Sequence, residues 1–199
     1  MSGPASRVPF VGLTGGLGAG KSTALAALSE LGAATLSTDA VVHELLGSAE
    51  VREAVAERFG PSVVVDGVVD RSAVAAQAFG NEGDREWLEE LLWPRVGERV
   101  AEFRDSVGGV PAAVVEVPLL FESGMEAAFD HTIAVVAEEG LRAERAGARG
   151  HEAVSERAGR QLTQEQKSQR ADFTVRNDGT TEELKAELAK ILDLSLIHI

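Results

Sequence analysis

One segment constrains this chain more than any other. Gly15-Gly16-Leu17-Gly18-Ala19-Gly20-Lys21-Ser22 fills the phosphate-loop pattern G-x-x-x-x-G-K-S/T. An apolar run at 8–13 precedes it and reads as a buried strand. Ala24, Leu25, Leu28 and Leu31 follow at helical spacing and Gly32 closes the helix. The glycines let the backbone take positive φ and turn its N–H groups inward around a polyphosphate. The anion then rests against the N-terminus of the following helix. Gly16, Leu17, Gly18, Ala19, Gly20, Lys21, Ser22 and Thr23 are therefore the expected nucleotide contacts. Lys21 reaches the β- and γ-phosphates, and the Ser22 hydroxyl is the expected ligand of Mg²⁺.

Charge narrows the partners. Nineteen Lys and Arg against 32 Asp and Glu give a net charge of −13, which argues against a non-specific nucleic-acid or anionic-membrane binder. A phosphate site must then be a local concentration of cations. With no cysteine, disulfides and thiolate metal sites are unavailable. No apolar stretch approaches the roughly 20 residues of a membrane span, and 1–9 lacks a signal-peptide core. A cytoplasmic enzyme is the expectation.

Along the chain, residues 34–36 form a short apolar run ending in Ser37-Thr38-Asp39. An Asp at that position lies where open α/β sheets bind ligands, and it also suits a helix N-cap. Ser48 caps a helix with Val51, Val55 and Phe59. The run at 63–69 reads as a hairpin turned on Asp66-Gly67, and Asp70 opens a short helix. A longer helical stretch at 84–107 is interrupted by Pro94, where a kink or break is expected.

Residues 112–117 and 132–137 read as buried strands. Glu116 within the first is a candidate to face Mg²⁺ through water, or to form a structural salt bridge. Residues 138–170 carry Arg142, Arg145, Arg149, Arg157, Arg160, Lys167 and Arg170 among few large apolar residues. That composition suits an arginine-bearing lid over a triphosphate. Thr163 with Gln166, and Thr180 with Glu183, form capping boxes around a last strand at 173–175. The segment 193–199 breaks the final amphipathic pattern and reads as a frayed tail.

Several of these segments together resemble the dephospho-coenzyme A kinase family. They are the loop from Gly12 to Thr23, Thr38-Asp39, Phe59-Gly60, Asp66-Gly67 with Asp70-Arg71, Val117-Pro118-Leu119-Leu120-Phe121-Glu122, Gln161, Ala171-Asp172 and Asn177-Asp178-Gly179. The resemblance runs over 8–192. It implies ATP-dependent phosphorylation of the 3′-hydroxyl of dephospho-coenzyme A, the last step of coenzyme A synthesis, with Mg²⁺; the expected partners are ATP and dephospho-coenzyme A, and the expected state is a monomer or small homo-oligomer. It also implies a P-loop three-layer α/β/α fold with a five-stranded parallel sheet, a helical coenzyme-binding lobe at 48–107 and a lid at 138–170. The core is then 8–47, 108–137 and 171–192. Position by position, Asp39 matches an acceptor-side carboxylate and Arg145 a lid arginine, with Arg142 and Arg149 as alternatives. Thr14, Pro118, Leu119 and Glu122 fall on the acceptor side, and Asn177 borders the adenine. The chain departs from the family in writing Ser37-Thr38-Asp39 for Asp-Ala-Asp, and Trp93-Pro94 for His-Pro.

Two other readings fit the loop. One is a kinase of the same architecture acting on a nucleoside monophosphate or a sugar-like acceptor. The other is a slow NTPase switch, against which stands the lack of an Asn-Lys-x-Asp guanine-reading motif.

Overall fold

The computed structural model describes residues 7–147 and 161–196. The chain divides into two compact units, one formed by 1–37 with 103–199 and the other by 38–102.

The first unit is built on a five-stranded sheet of β1 (Phe10–Gly15), β2 (Ala34–Ser37), β5 (Ala113–Glu116), β6 (His131–Val136) and β7 (Phe173–Arg176). Their order is β2-β5-β1-β6-β7, and every pairing is parallel. All five strands expected from the sequence are present. β1 lies two residues later than the apolar run suggests, because its ladder to β6 continues to the pair Gly15 and Val135. β1 is buried along its whole length, as a central parallel strand covered on both faces should be.

Helix α1 (Lys21–Glu30) follows the loop. Its C-terminus closes with the Gly32 amide donating to the Ser29 carbonyl and the Ala33 amide to Leu28. That 5→2 and 6→1 pair is a Schellman motif centred on Gly32 at φ 91°. Ala24, Ala27 and Leu28 of α1 pack with Val11, Leu13, Ile133 and Val135, and with Leu184, Leu188 and Leu192 of the last helix, α8 (Thr181–Leu196). Each large side chain so buried contributes about 1.5–3 kcal/mol. α8 starts at the expected capping box, the Glu183 amide donating to Thr180 Oγ1 at 3.2 Å and the Thr180 amide to Glu183 Oε2 at 2.8 Å. The helix does not end at 192: it continues to Leu196. Residues 193–196 contain neither Gly nor Pro, so the hydrogen-bond ladder has nothing to stop it.

The second unit holds α2 (Thr38–Gly47), α3 (Ala49–Phe59), a hairpin of β3 (Val64–Val65) and β4 (Val68–Val69), α4 (Arg71–Gly80) and most of α5 (Glu82–Ser106). It begins at Thr38, so α2 belongs with the helical lobe rather than with the core expected to reach residue 47. Ser48 and Asp70 cap α3 and α4, accepting from the amides of Val51 and of Ser72 and Ala73. The hairpin turns on Asp66 and Gly67, both at positive φ, the signature of a type I′ turn. A separate core gathers Leu46, Val51, Val55, Phe59, Val63, Val69, Val74 and Leu92. Pro94 does not break α5, which runs as one helix of 25 residues. The Arg95 guanidinium donates to the Leu91 carbonyl at 2.6 Å, while Pro94 removes one amide from the helical ladder. Trp93 is exposed, so it is not part of the lobe's core.

Candidate active site

The loop leaves the C-terminal end of the central strand and enters α1 through Gly18 and Gly20, at φ 73° and 93°. Both need to be glycine on two counts. The left-handed backbone disfavours a side chain, and a Cβ would overlap the Arg142 carbonyl at Gly18 and the Asn177 amide at Gly20. Lys21 Nζ donates to the Gly15 and Gly16 carbonyls at 3.1 and 3.2 Å. The ammonium thus lies at the mouth of the loop.

Two elements brace the loop and a third lies beside it. Asn177 is buried just past β7; its side-chain amide donates to the Ala19 carbonyl at 2.9 Å and its backbone amide to Val136 at 2.8 Å. Helix α6 (Glu139–Gly147) lies against the loop. Arg142 Nε donates to the Leu17 carbonyl at 3.0 Å, and its guanidinium lies beside Gly16. Arg145 lies elsewhere: its guanidinium donates to the Asn177 carbonyl at 2.9 Å. Helix α7 (Gln164–Arg170), opened by the expected Thr163–Gln166 capping box, supplies Gln164. Its amide group both accepts from and donates to the Ala137 backbone, each at 2.9 Å.

Thr14, Pro118 and Glu122, expected on the acceptor side, converge on one side chain that the sequence counted only among the cations of the lid segment. Lys167 of α7 has no exposed side-chain surface. Its Nζ lies 2.7 Å from the Pro118 carbonyl, 3.4 Å from Thr14 Oγ1 and 2.9 Å from Glu122 Oε1. Thr14 donates its own hydroxyl to Pro118 at 3.3 Å, and Glu122 also accepts from the Leu162 amide at 2.8 Å. Burial holds the Lys167 pKa below its usual value, while the hydrogen bond and charge of Glu122 push the other way. A lysine in a charged, seven-residue helix carries no periodicity to mark it. Only its neighbours in space reveal it. Leu119 is partly buried, and its carbonyl accepts from the Ser123 amide and hydroxyl at 3.0 and 2.7 Å.

The motifs that close the first unit are bracing devices. Asp172 accepts from the amide and hydroxyl of Thr132 at 2.7 and 2.8 Å, locking β6 to the start of β7. Asp178 accepts from the Glu138 amide at 2.6 Å and from Arg176 at 2.8 Å. These contacts, the amide first, hold its pKa below the usual value.

The remaining candidates are placed as follows. Ser22, the second residue of α1, and Thr23 lie at the loop's exit, Ser22 exposed and Thr23 partly buried. Glu116 is buried at the C-terminal end of β5, in register with Leu13 and Ser37. A hydroxyl and a carboxylate are hard oxygen donors of the kind Mg²⁺ prefers, so the chemistry of these two residues fits the ion. Asp39 is in the first turn of α2 and exposed; the helix starts one residue earlier, so it is not the N-cap. Arg149, Arg157 and Arg160 lie outside the described residues.

A glycine loop between the central parallel strand and a helix, with a lysine at its mouth and an arginine across it, defines a P-loop nucleotide-binding protein. The profile of the dephospho-CoA kinase family matches residues 9–183. Curated dephospho-CoA kinases from Protochlamydia amoebophila and Deinococcus radiodurans are 36% and 38% identical, over 95% and 89% of this chain and 97% and 88% of their own. Among solved structures, TT1252 from Thermus thermophilus superposes with a TM-score of 0.79 at 32% identity, covering 94% of this chain and 98% of that one. A shikimate kinase from Acinetobacter baumannii has the same fold at TM-score 0.51 and 14% identity, covering 98% and 97%. The chain belongs to the dephospho-CoA kinase family. It is a kinase of the last step of coenzyme A synthesis.

Proposed function

We propose that the loop from Gly16 to Thr23 binds the phosphates of ATP, and that the γ-phosphoryl passes to the 3′-hydroxyl of dephospho-coenzyme A. The observation that carries this division of labour is the pair of cations on the loop, Lys21 Nζ at 3.1 Å from Gly15 O and Arg142 Nε at 3.0 Å from Leu17 O. In a chain of net charge −13, such a concentration suits a polyphosphate.

In this reading Lys21 and the loop amides hold the β- and γ-phosphates. Mg²⁺, held through Ser22 with the Glu116 carboxylate behind it, would neutralise charge on the same phosphates. The Asp39 carboxylate accepts the proton of the 3′-hydroxyl as that oxygen bonds to the γ-phosphorus. The bond from phosphorus to the β,γ-bridging oxygen breaks, and ADP keeps the electron pair. Arg142 stabilises the spreading charge, a part we assign to it rather than to Arg145 because Arg145 holds the Asn177 carbonyl. Asn177 serves the donor side by fixing Ala19. The helices of 38–102 contribute Asp39 and take the acceptor. The setting is the cytoplasm, where ATP is supplied.

The test is ADP release by the purified chain, with ³¹P NMR of the product. ADP release that requires dephospho-coenzyme A and yields a 3′-phosphomonoester supports the reading. Hydrolysis independent of any acceptor rejects it, and preference for a nucleoside monophosphate or shikimate moves the acceptor.

A further inference from the structure

Thr14 and the segment from Pro118 to Glu122 come from two separate parts of the chain, and both meet one buried ammonium. Lys167 reaches them from α7, the helix at the far end of the arginine-rich segment. A slot that needed only filling would take methionine or leucine, because burying an ion pair stabilises little or nothing relative to apolar residues of the same volume. A buried charge beside a reaction site is instead a candidate for a functional role.

Its geometry shows what that role is. The ammonium donates to Pro118 O and Thr14 Oγ1, and the Thr14 hydroxyl donates in turn to Pro118 O. The Thr14 rotamer and the Pro118 carbonyl are thus fixed together, one residue before the phosphate loop starts and two residues beyond the end of β5. Glu122 closes the arrangement by pairing with Lys167 while it accepts from the Leu162 amide, so α7 and the residues after β5 share one anchor.

We propose that Lys167 is a positioning residue for the acceptor, holding the Thr14–Pro118–Glu122 surface in the shape that receives dephospho-coenzyme A. The inference rests on the reading of those residues as the acceptor side. Lys167 is buried behind Thr14, Pro118 and Glu122, so its loss acts on acceptor binding more than on the donor loop, whose braces are Asn177 and Arg142.

Removing Lys167 alone would strand the Glu122 carboxylate, so the comparison is Glu122→Gln against Glu122→Gln/Lys167→Met. The amide of Gln still accepts from Leu162. Thermal unfolding and circular dichroism establish that both are folded. Calorimetry then reads ADP and dephospho-coenzyme A separately, beside steady-state kinetics. Adding Lys167→Met is expected to weaken dephospho-coenzyme A, in Kd and KM, by about tenfold, as misplacement of a substrate-facing surface does. ADP affinity should stay within about twofold. Unchanged acceptor Kd and KM would reduce Lys167 to a core ion pair and overturn the proposal. Equal loss of ADP and acceptor would overturn it too, by assigning the residue to the donor loop. A wild-type chain that binds no dephospho-coenzyme A would instead reject the acceptor reading, and this inference with it.

Discussion

Lys167 Nζ and Glu122 Oε1 lie 2.9 Å apart, the lysine with no exposed side-chain surface and the glutamate with little. Breaking such a pair from one side leaves a buried charge without a counter-ion. Lys167→Met alone should lower the unfolding free energy by about 3–5 kcal/mol. Lys167→Met/Glu122→Gln should regain most of that loss. Urea denaturation with a common m-value checks both.

The same lysine gives alkaline stability a definite sign. Its folded pKa is lowered, first by desolvation, from the ordinary 10.5, so between that lowered value and 10.5 the unfolded chain binds more protons than the folded one. Lys167 then contributes a stability that rises with pH through this window. Of the groups facing it, Glu122 carries charge and Thr14 and Pro118 do not. The Lys167→Met/Glu122→Gln variant should lack this increment when unfolding free energy is followed into the alkaline range.

Arg142 and Arg145 are one helical turn apart but meet different partners, the Leu17 carbonyl and the Asn177 carbonyl. Arg142→Ala should lower kcat by about 10³ or more, as loss of a charge-stabilising arginine does, with KM for dephospho-coenzyme A little changed. Arg145→Ala should act chiefly through KM for ATP, because it releases the residue that braces Ala19. Steady-state kinetics with each substrate varied separates them, and a larger kcat loss for Arg145→Ala would reverse the assignment.

Asp39→Asn keeps size and first-turn position but removes the base. Turnover should fall by about 10² to 10⁴ while ADP affinity, measured by calorimetry, stays at the wild-type value. Full turnover in the variant would leave Asp39 with only its favourable place in the first turn of α2.

Gly20→Ala places a Cβ on the Asn177 amide in a left-handed backbone. Loss of ADP binding with the chain still folded is the expected result. Wild-type ADP affinity would show that the brace can move aside.

Much of the donor half was legible in the residues. The loop pattern, the apolar runs of β5 and β6, the Asp66-Gly67 turn and the capping residues Ser48, Asp70, Thr163 and Thr180 act through hydrogen bonds and backbone preferences within a few residues. The structure has each of them. Readings that depended on distant partners moved. Pro94 suggested a kink or a break, and the helix runs through it without a break. The lobe begins at Thr38, not 48.

Sequence by itself determined the strand, loop and helix that hold phosphate, because glycine content, a lysine and a hydroxyl at fixed spacing are short-range chemistry. Only the tertiary structure decided that β1 lies between β5 and β6, that Arg142 rather than Arg145 crosses the loop, and that Lys167 is buried against Thr14, Pro118 and Glu122. Those contacts join residues 32 to 153 positions apart. Their energies depend on desolvation and on which groups meet when the sheet closes, and neither is written in local order.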